Sequence, residues 1–307
     1  MRKFNSFLFA ILAVMAVAQL FCSCEKEEDS EEPKPVSQLT FTTEMEIGST
    51  IELWFNLGSV PTEIIGATVV SKNDTDMDGG GPYMSELTIL TCVLTDHTVT
   101  MKGDIISIYL PEMELTSLDV SQSYALESLN CSYNKLTSLN VSNCKKLVQL
   151  ACVDNSISSL DVSKCPELTH LNCSANPQLT TLDLSKNKAL EILTCFMNNM
   201  TELDVSNCPK LQDISCSHNK LTSLDVSKNP LLEYLDCRKN KIKAANMSDI
   251  IKTLPDWTGK EGNFWPDVRY NGVLRVIMLD DSNEENELNE ADKAIAQQKN
   301  WKVDAPH

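Results

Sequence analysis

Basic residues are scarce in this 307-residue chain, with 26 lysines and arginines against 43 aspartates and glutamates and a formal net charge of −17. At long range such a chain repels a polyanion, which sets nucleic acid aside as a partner. Histidine is scarcer still, at four residues. His170 and His218 have no serine or cysteine in a recognisable nucleophile signature beside them, so each is expected to be a contact residue or a solvated rung. The first hundred residues lack paired carboxylates, a nucleophile motif and a phosphate loop, so no catalysis and no cofactor are expected. A long apolar run is missing too. The run from Phe7 to Phe21 follows Arg2 and Lys3 and is too short for a comfortable membrane span, so residues 1–23 read as a secretory signal.

Cysteine is not lacking, at 12 residues, but within the repeats it avoids the close spacing a metal site needs. Cys131, Cys152, Cys173, Cys195, Cys216 and Cys237 recur every 21 or 22 residues. The rest of the chain keeps the same beat. Repeats start at Ile105, Leu126, Leu147, Leu168, Leu190, Leu211 and Leu232, and the one 22-residue coil takes its extra residue after Asn176, at Pro177 and Gln178. The core pattern LxxLxCxxNxL runs from Leu126, Leu129, Cys131, Asn134 and Leu136 down to Leu232, Leu235, Cys237, Asn240 and Ile242. Each coil has a second half of the LTSLDVS kind, as at Leu115, Ile157, Leu179, Met200 and Leu221.

This period and core resemble leucine-rich repeats, and the nested halves resemble their bacterial IRREKO class. The resemblance implies a mainly β solenoid with a short parallel strand on each of two faces, whose work is adhesion or protein recognition. The physical expectation agrees. Leu126, Leu129 and Cys131 turn inward, and since a lone coil has nothing to bury them against, neighbouring coils must stack. A buried thiol behaves as a small hydrophobe suited to a tight inner position. The asparagine column from Asn134 to Asn240 is expected to satisfy backbone groups at the turn after the first strand. A second column, Ser123, Cys144, Cys165, Asn187, Cys208 and Asn229, is expected to cap the other turn. Disulfides suit an exported chain, with Cys144 and Cys165 the nearest pair, but stacked side chains make poor bridge geometry, so free thiols are expected. Asp119, Asn140, Asp161, Asp183, Asp204 and Asp225 line the second face, with nearby serine hydroxyls such as Ser121 and Ser142 as the expected partners of this column and a bound cation as the alternative.

The organisation along the chain follows. After the signal, Leu20-Phe21-Cys22-Ser23-Cys24 resembles a bacterial lipobox, with Cys24 as the lipid-attachment residue. The acidic tether 24–36 resembles the surface-export signals of Bacteroidetes lipoproteins, which implies a location at the outer membrane facing outward. The membrane then matters only through the anchor. Residues 37–104 are read as an N-terminal β domain, with strands at 38–43, 50–57, 64–70, 86–93 and 98–102. Asp74, Asp76, Asp78 and Gly79 echo the opening of a calcium loop, but the twelfth position is Ser85 and Asp/Gly clusters also make ordinary turns. Residues 105–244 form the seven-coil solenoid. Residues 245–307 form a small α+β cap, with helices over 246–254 and 287–298 and strands at 273–279 and 301–303; its ending resembles the caps of similar Bacteroidetes surface proteins.

The candidate binding residues are large side chains that interrupt the small polar rungs of the first face: Tyr133, Val153, Ile192, Phe196, Met197 and Tyr234, with His170, Asp213 and Arg238 nearby. Outward aromatic and aliphatic groups suggest a contact patch, and local packing over the rim is the structural alternative. A protein partner, from a host or the envelope, is the first expectation. A glycan ligand or a structural envelope role is the alternative.

Overall fold

In the computed structural model of this protein, residues 37–56, 59–76, 86–110, 112–258, 276–278 and 288–304 are described. The signal segment, Cys24, the acidic tether, Asp78 and Gly79 lie outside them.

Six strands open the described chain: β1 (Gln38–Thr43), β2 (Thr50–Asn56), β3 (Glu63–Ile65), β4 (Ala67–Asp76), β5 (Glu86–Leu94) and β6 (Thr98–Lys102). Alternation builds their inner faces, with Leu39 and Phe41 of β1 and Ile51, Leu53 and Phe55 of β2 buried between solvated neighbours. The antiparallel strands β1, β6 and β3 form one sheet and β2, β5 and β4 the other. Their apolar sides share one core with the repeats. Gly66 turns the chain from β3 to β4 at φ +87°, and a Cβ there would lie 2.0 Å from the Thr98 carbonyl oxygen. The expected loop at 73–81 is corrected in part. Asp74 and Asp76 belong to β4, paired with Thr88 and Glu86, and the Thr88 hydroxyl donates to the Asp74 carboxylate at 2.7 Å. Asp74 and Asp76 are therefore extended backbone, and residues 77–81 of the expected loop lie outside the described residues.

The repeats alternate between two sides of the molecule. They comprise β7 (Ser107–Tyr109), β8 (Leu115–Gln122), β9 (Ser128–Asn130), β10 (Leu139–Asn140), β11 (Gln149–Ala151), β12 (Leu160–Asp161), β13 (His170–Asn172), β14 (Ile192–Thr194), β15 (Asp213–Ser215) and β16 (Tyr234–Asp236). On the first side β7, β9, β11, β13, β14, β15 and β16 pair in parallel, so that Leu129, Leu150, Leu171, Leu193, Ile214 and Leu235 stack. The fold is thus a mainly β leucine-rich-repeat solenoid. Burying each such side chain contributes about 1.5–3 kcal/mol, and the gain belongs to the interface between coils.

The second side departs from the expectation of a strand in every coil. Among the described residues only β8, β10 and β12 form a repeat ladder there. Backbone ties between coils on that side reduce to about one each, such as Lys135 N–H to Leu115, Lys220 N–H to Met200 and Lys241 N–H to Leu221. In each of these coils, paired or not, a serine N–H donates to the side chain two residues before it, from Ser121 to Asp119 and Ser142 to Asn140 through Ser227 to Asp225, at 2.8–3.0 Å.

The two sheets run without interruption from the N-terminal strands into the repeats. Strand β2 pairs with β7, and β1 pairs with β8. At the other end α1 (Ala244–Thr253), β17 (Val276–Met278), α2 (Glu290–Gln298) and β18 (Lys302–Asp304) complete the order, and β17 and β18 add two further parallel rungs after β16. The Lys299 ammonium caps the carboxyl end of α1 by donating to the carbonyls of Ile251, Lys252 and Leu254. Trp301 is buried and its indole N–H donates to the Pro255 carbonyl at 2.8 Å.

Inside the stack the two polar columns do the capping expected of them. Asn155 accepts from Leu136 N–H at 2.9 Å and donates to the carbonyls of Cys131, Cys152 and Val153. Asn134, Asn176, Asn219 and Asn240 repeat the arrangement. The 22-residue coil absorbs its extra residue here. Asn198 accepts from Asn176 N–H at 2.7 Å, while Leu179 N–H turns back to the Asn176 carbonyl. At the other turn Cys144, Cys165 and Cys208 point their thiols at the carbonyls of Val120, Val141 and Leu184, and Asn187 and Asn229 donate to Val162 and Val205. All ten described cysteines are buried and free. Burial pushes the Cys131 and Cys173 thiols up to about 12 and raises Cys152, Cys195 and Cys216 well above the ordinary thiol value.

Candidate binding face

The parallel ladder of the first side projects its outward residues in straight columns, because side chains two apart along a strand share a face and registered neighbours lie about 4.8 Å apart. One column runs Ser128, Gln149, His170, Ile192, Asp213, Tyr234. The next runs Asn130, Ala151, Asn172, Thr194, Ser215, Asp236. Beyond the strand ends come Val153, Phe196 and Arg238, and then residues in the left-handed region. The last group includes Tyr133 at φ 59°, Asp154 at 52°, Met197 at 56° and His218 at 53°. Each of these four still donates its N–H to the next coil, which holds the uncommon conformation in place.

The nine residues singled out from sequence therefore fall on three columns. His170, Ile192, Asp213 and Tyr234 share the first, half-buried. Val153, Phe196 and Arg238 stand on the rim, also half-buried. Tyr133 and Met197 are the open ones, each 52% exposed. Local packing thus accounts for part of every rim side chain except these two.

Between the two strand columns lies a groove of about 350 Å³, within the range of about 300–1,000 Å³ usual for ligand sites. It is lined by Ser128, Gln149, His170 and Ile192 of the first column, by Asn130, Ala151, Asn172 and Thr194 of the second, and by Tyr109. Of these, sequence reasoning singled out only His170 and Ile192 as contacts. The signal for the rest was available as Ala151, a single methyl where the flanking rungs carry amides, but its depth depends on register.

Charge is unevenly placed along this face. Burial, and then the neighbouring Asp236 carboxylate, push Asp213 up to about 7. Asp236 is 3% exposed and accepts from the Arg238 guanidinium twice, from Nε at 2.9 Å and from Nη2 at 2.8 Å. Burial lowers the His170 imidazole below its ordinary value, with Glu191 opposing, and its Nδ1 lies 2.7 Å from the Thr169 hydroxyl. On the second side the exposed carboxylates of Asp119, Asp161, Asp183, Asp204 and Asp225 are held below the usual carboxylate range by hydrogen bonds from the serine two residues on. Among the described residues no group of three or more histidine, cysteine, aspartate or glutamate side chains is arranged to hold a metal ion. No helix among them is long and apolar enough to cross a membrane.

No model of a known protein family matches the chain, and no curated protein matches it. Among solved structures, internalin C2 from Listeria monocytogenes is similar at a TM-score of 0.51 and 16% identity, over 65% of this chain and 80% of that one, which supports the fold alone. The functional domain of InlJ from Listeria monocytogenes, described as including a cysteine ladder, is 25% identical over 69% of this chain with a TM-score of 0.33. The leucine-rich-repeat domain of APL1 aligns over 61% of this chain at 18% identity and a TM-score of 0.41. This chain spans about half, 55%, of the InlJ chain and 52% of the APL1 chain.

Proposed function

We propose that this leucine-rich-repeat chain is an exported, lipid-anchored surface protein of the Bacteroidetes kind, with IRREKO-type repeats, that binds a protein partner through the first face of its solenoid and performs no catalysis. The observation that carries the reading is the contrast between the faces. The second side repeats one Asp-Ser turn coil after coil, whereas the first combines a groove with exposed Tyr133 and Met197 and an unmatched carboxylate at Asp213. A surface built only to stack has no need of that variety. The lipid attachment at Cys24 and the outward location rest on the sequence of the first 36 residues, a signal run followed by Cys24 and an acidic tether.

The test has two arms. Cys24→Ser should move the protein from the membrane fraction to the soluble fraction, and protease added to intact cells should degrade the anchored wild type. A membrane-bound Cys24→Ser protein, or full protection from protease, contradicts the location. Proximity labelling from intact cells should enrich one protein partner, and enrichment of nothing but lipid-anchoring machinery contradicts the binding role.

A further inference from the structure

We propose that the partner presents an extended peptide segment of about six residues, laid across the strands from Ser128 to Asp213, with a lysine or arginine side chain seated against Asp213. This rests on the face-binding reading and names the chemistry that would occupy it. Four rungs separate β9 from β15, about 19 Å at 4.8 Å each, and an extended chain covers that in about six residues at 3.3 Å.

The groove suits such a guest better than an added strand. Its own strands already spend their N–H and carbonyl groups on the parallel ladder, so recognition must come from side chains. Three amides supply it. The oxygens of Asn130 and Asn172 accept from the N–H groups of Ser132 and Ser174, and that of Gln149 from the Ser128 hydroxyl. Their NH₂ groups have no acceptor among the described residues, and peptide carbonyls are the matching acceptors. Ala151, between Asn130 and Asn172, leaves space for a side chain, and Ile192 gives it an apolar wall.

The cation follows from charge complementarity. Asp213 accepts no side-chain or backbone hydrogen bond among the described residues, although it is half-buried between Ile192 and Tyr234. The Arg238 guanidinium is directed onto Asp236. The nearby Asp236 carboxylate disfavours the Asp213 charge further, and in a chain of net charge −17 a guest cation is the complementary group. A saccharide is less well matched, because the aromatic ring at the groove, Tyr109, is only 6% exposed and offers no stacking platform.

The test is a bead library of random six-residue peptides screened against the full chain in detergent. The wild type should select lysine or arginine at one position. Asp213→Asn, nearly isosteric, should weaken the selected peptides about tenfold, and Asp213→Lys should shift the selection to aspartate or glutamate. Ala151→Trp should abolish binding, with a cooperative thermal transition as the check that each variant is folded, the Asp213→Asn transition being shifted upward. Selected peptides that lack a basic residue, or that ignore Asp213→Asn while still losing binding with Ala151→Trp, overturn the cation site and leave the face-binding reading standing. If no peptide is selected, or a glycan array yields ligands blocked by Ala151→Trp instead, the peptide proposal falls. If Ala151→Trp also leaves the proximity-labelled partner bound, the groove falls with it.

Discussion

At the scale of single residues, the buried amides and the one displaced carboxylate carry most of the consequence. Asn155→Ala removes one acceptor and three donor contacts at once, leaving the Leu136 N–H and the Cys131 carbonyl short of partners. A loss of about 2–3 kcal/mol is expected in urea unfolding, and a change below about 0.5 kcal/mol would contradict the capping role. Asp213 has the opposite sense. Its folded-state value of about 7 lies above the roughly 3.9 of an unfolded aspartate, so the folded chain holds the proton more tightly. Its contribution is most favourable below about pH 4 and is lost as pH rises through 7. Asp213→Asn should therefore match the wild type near pH 4 and exceed it by about 2 kcal/mol at pH 8, allowing for partial exposure. The carboxylates lowered by serine are common to both chains and cancel in the difference. Parallel stability curves would contradict the displaced value.

At the scale of elements, the thiol column and the turn glycine give separate tests. With Cys131, Cys144 and Cys173 raised to about 12 by burial, the thiolate fraction at pH 8 is about 10⁻⁴. Iodoacetamide should label the ten described cysteines only as fast as the chain unfolds, and rapid labelling of any ladder cysteine in folded protein would contradict their placement. Gly66→Ala forces a Cβ to within 2.0 Å of the Thr98 oxygen at a positive φ, so β3 and β6 must part. A fall in stability of more than about 2 kcal/mol is expected from calorimetry. The inner cysteines and asparagines were legible in the sequence because a solenoid repeats its environment, so one coil's argument serves for six. The short ladder on the second side was not, because the sequence pattern and its Asp-Ser turn are alike in coils that pair, at Asp119 and Asp161, and in coils that do not, at Asp183 and Asp204. Nor was the extension of β4 through Asp76, since Asp and Gly residues near a hairpin signal a turn without fixing where the pairing stops.

At the scale of the whole molecule, continuity is the property that matters. The outer strands of the N-terminal sheets and the last two rungs, β17 and β18, close the two ends of the stack, as repeat arrays require. Those last rungs were legible as strands but not as members of the same sheet: the step from Tyr234 to Val276 is 42 residues, against 21 or 22 between the repeats. The groove was hidden for a related reason, since its depth exists only once Asn130, Ala151 and Asn172 stand in register. The most direct test of binding through one face compares two variants by proximity labelling on intact cells. Tyr133→Ser with Phe196→Ser and Met197→Ser alters the first face, and Asp161→Asn with Asp183→Asn alters the second. A first-face contact predicts that the labelled partner disappears with the former and persists with the latter. Retention in the first variant, or loss in the second alone, would contradict it.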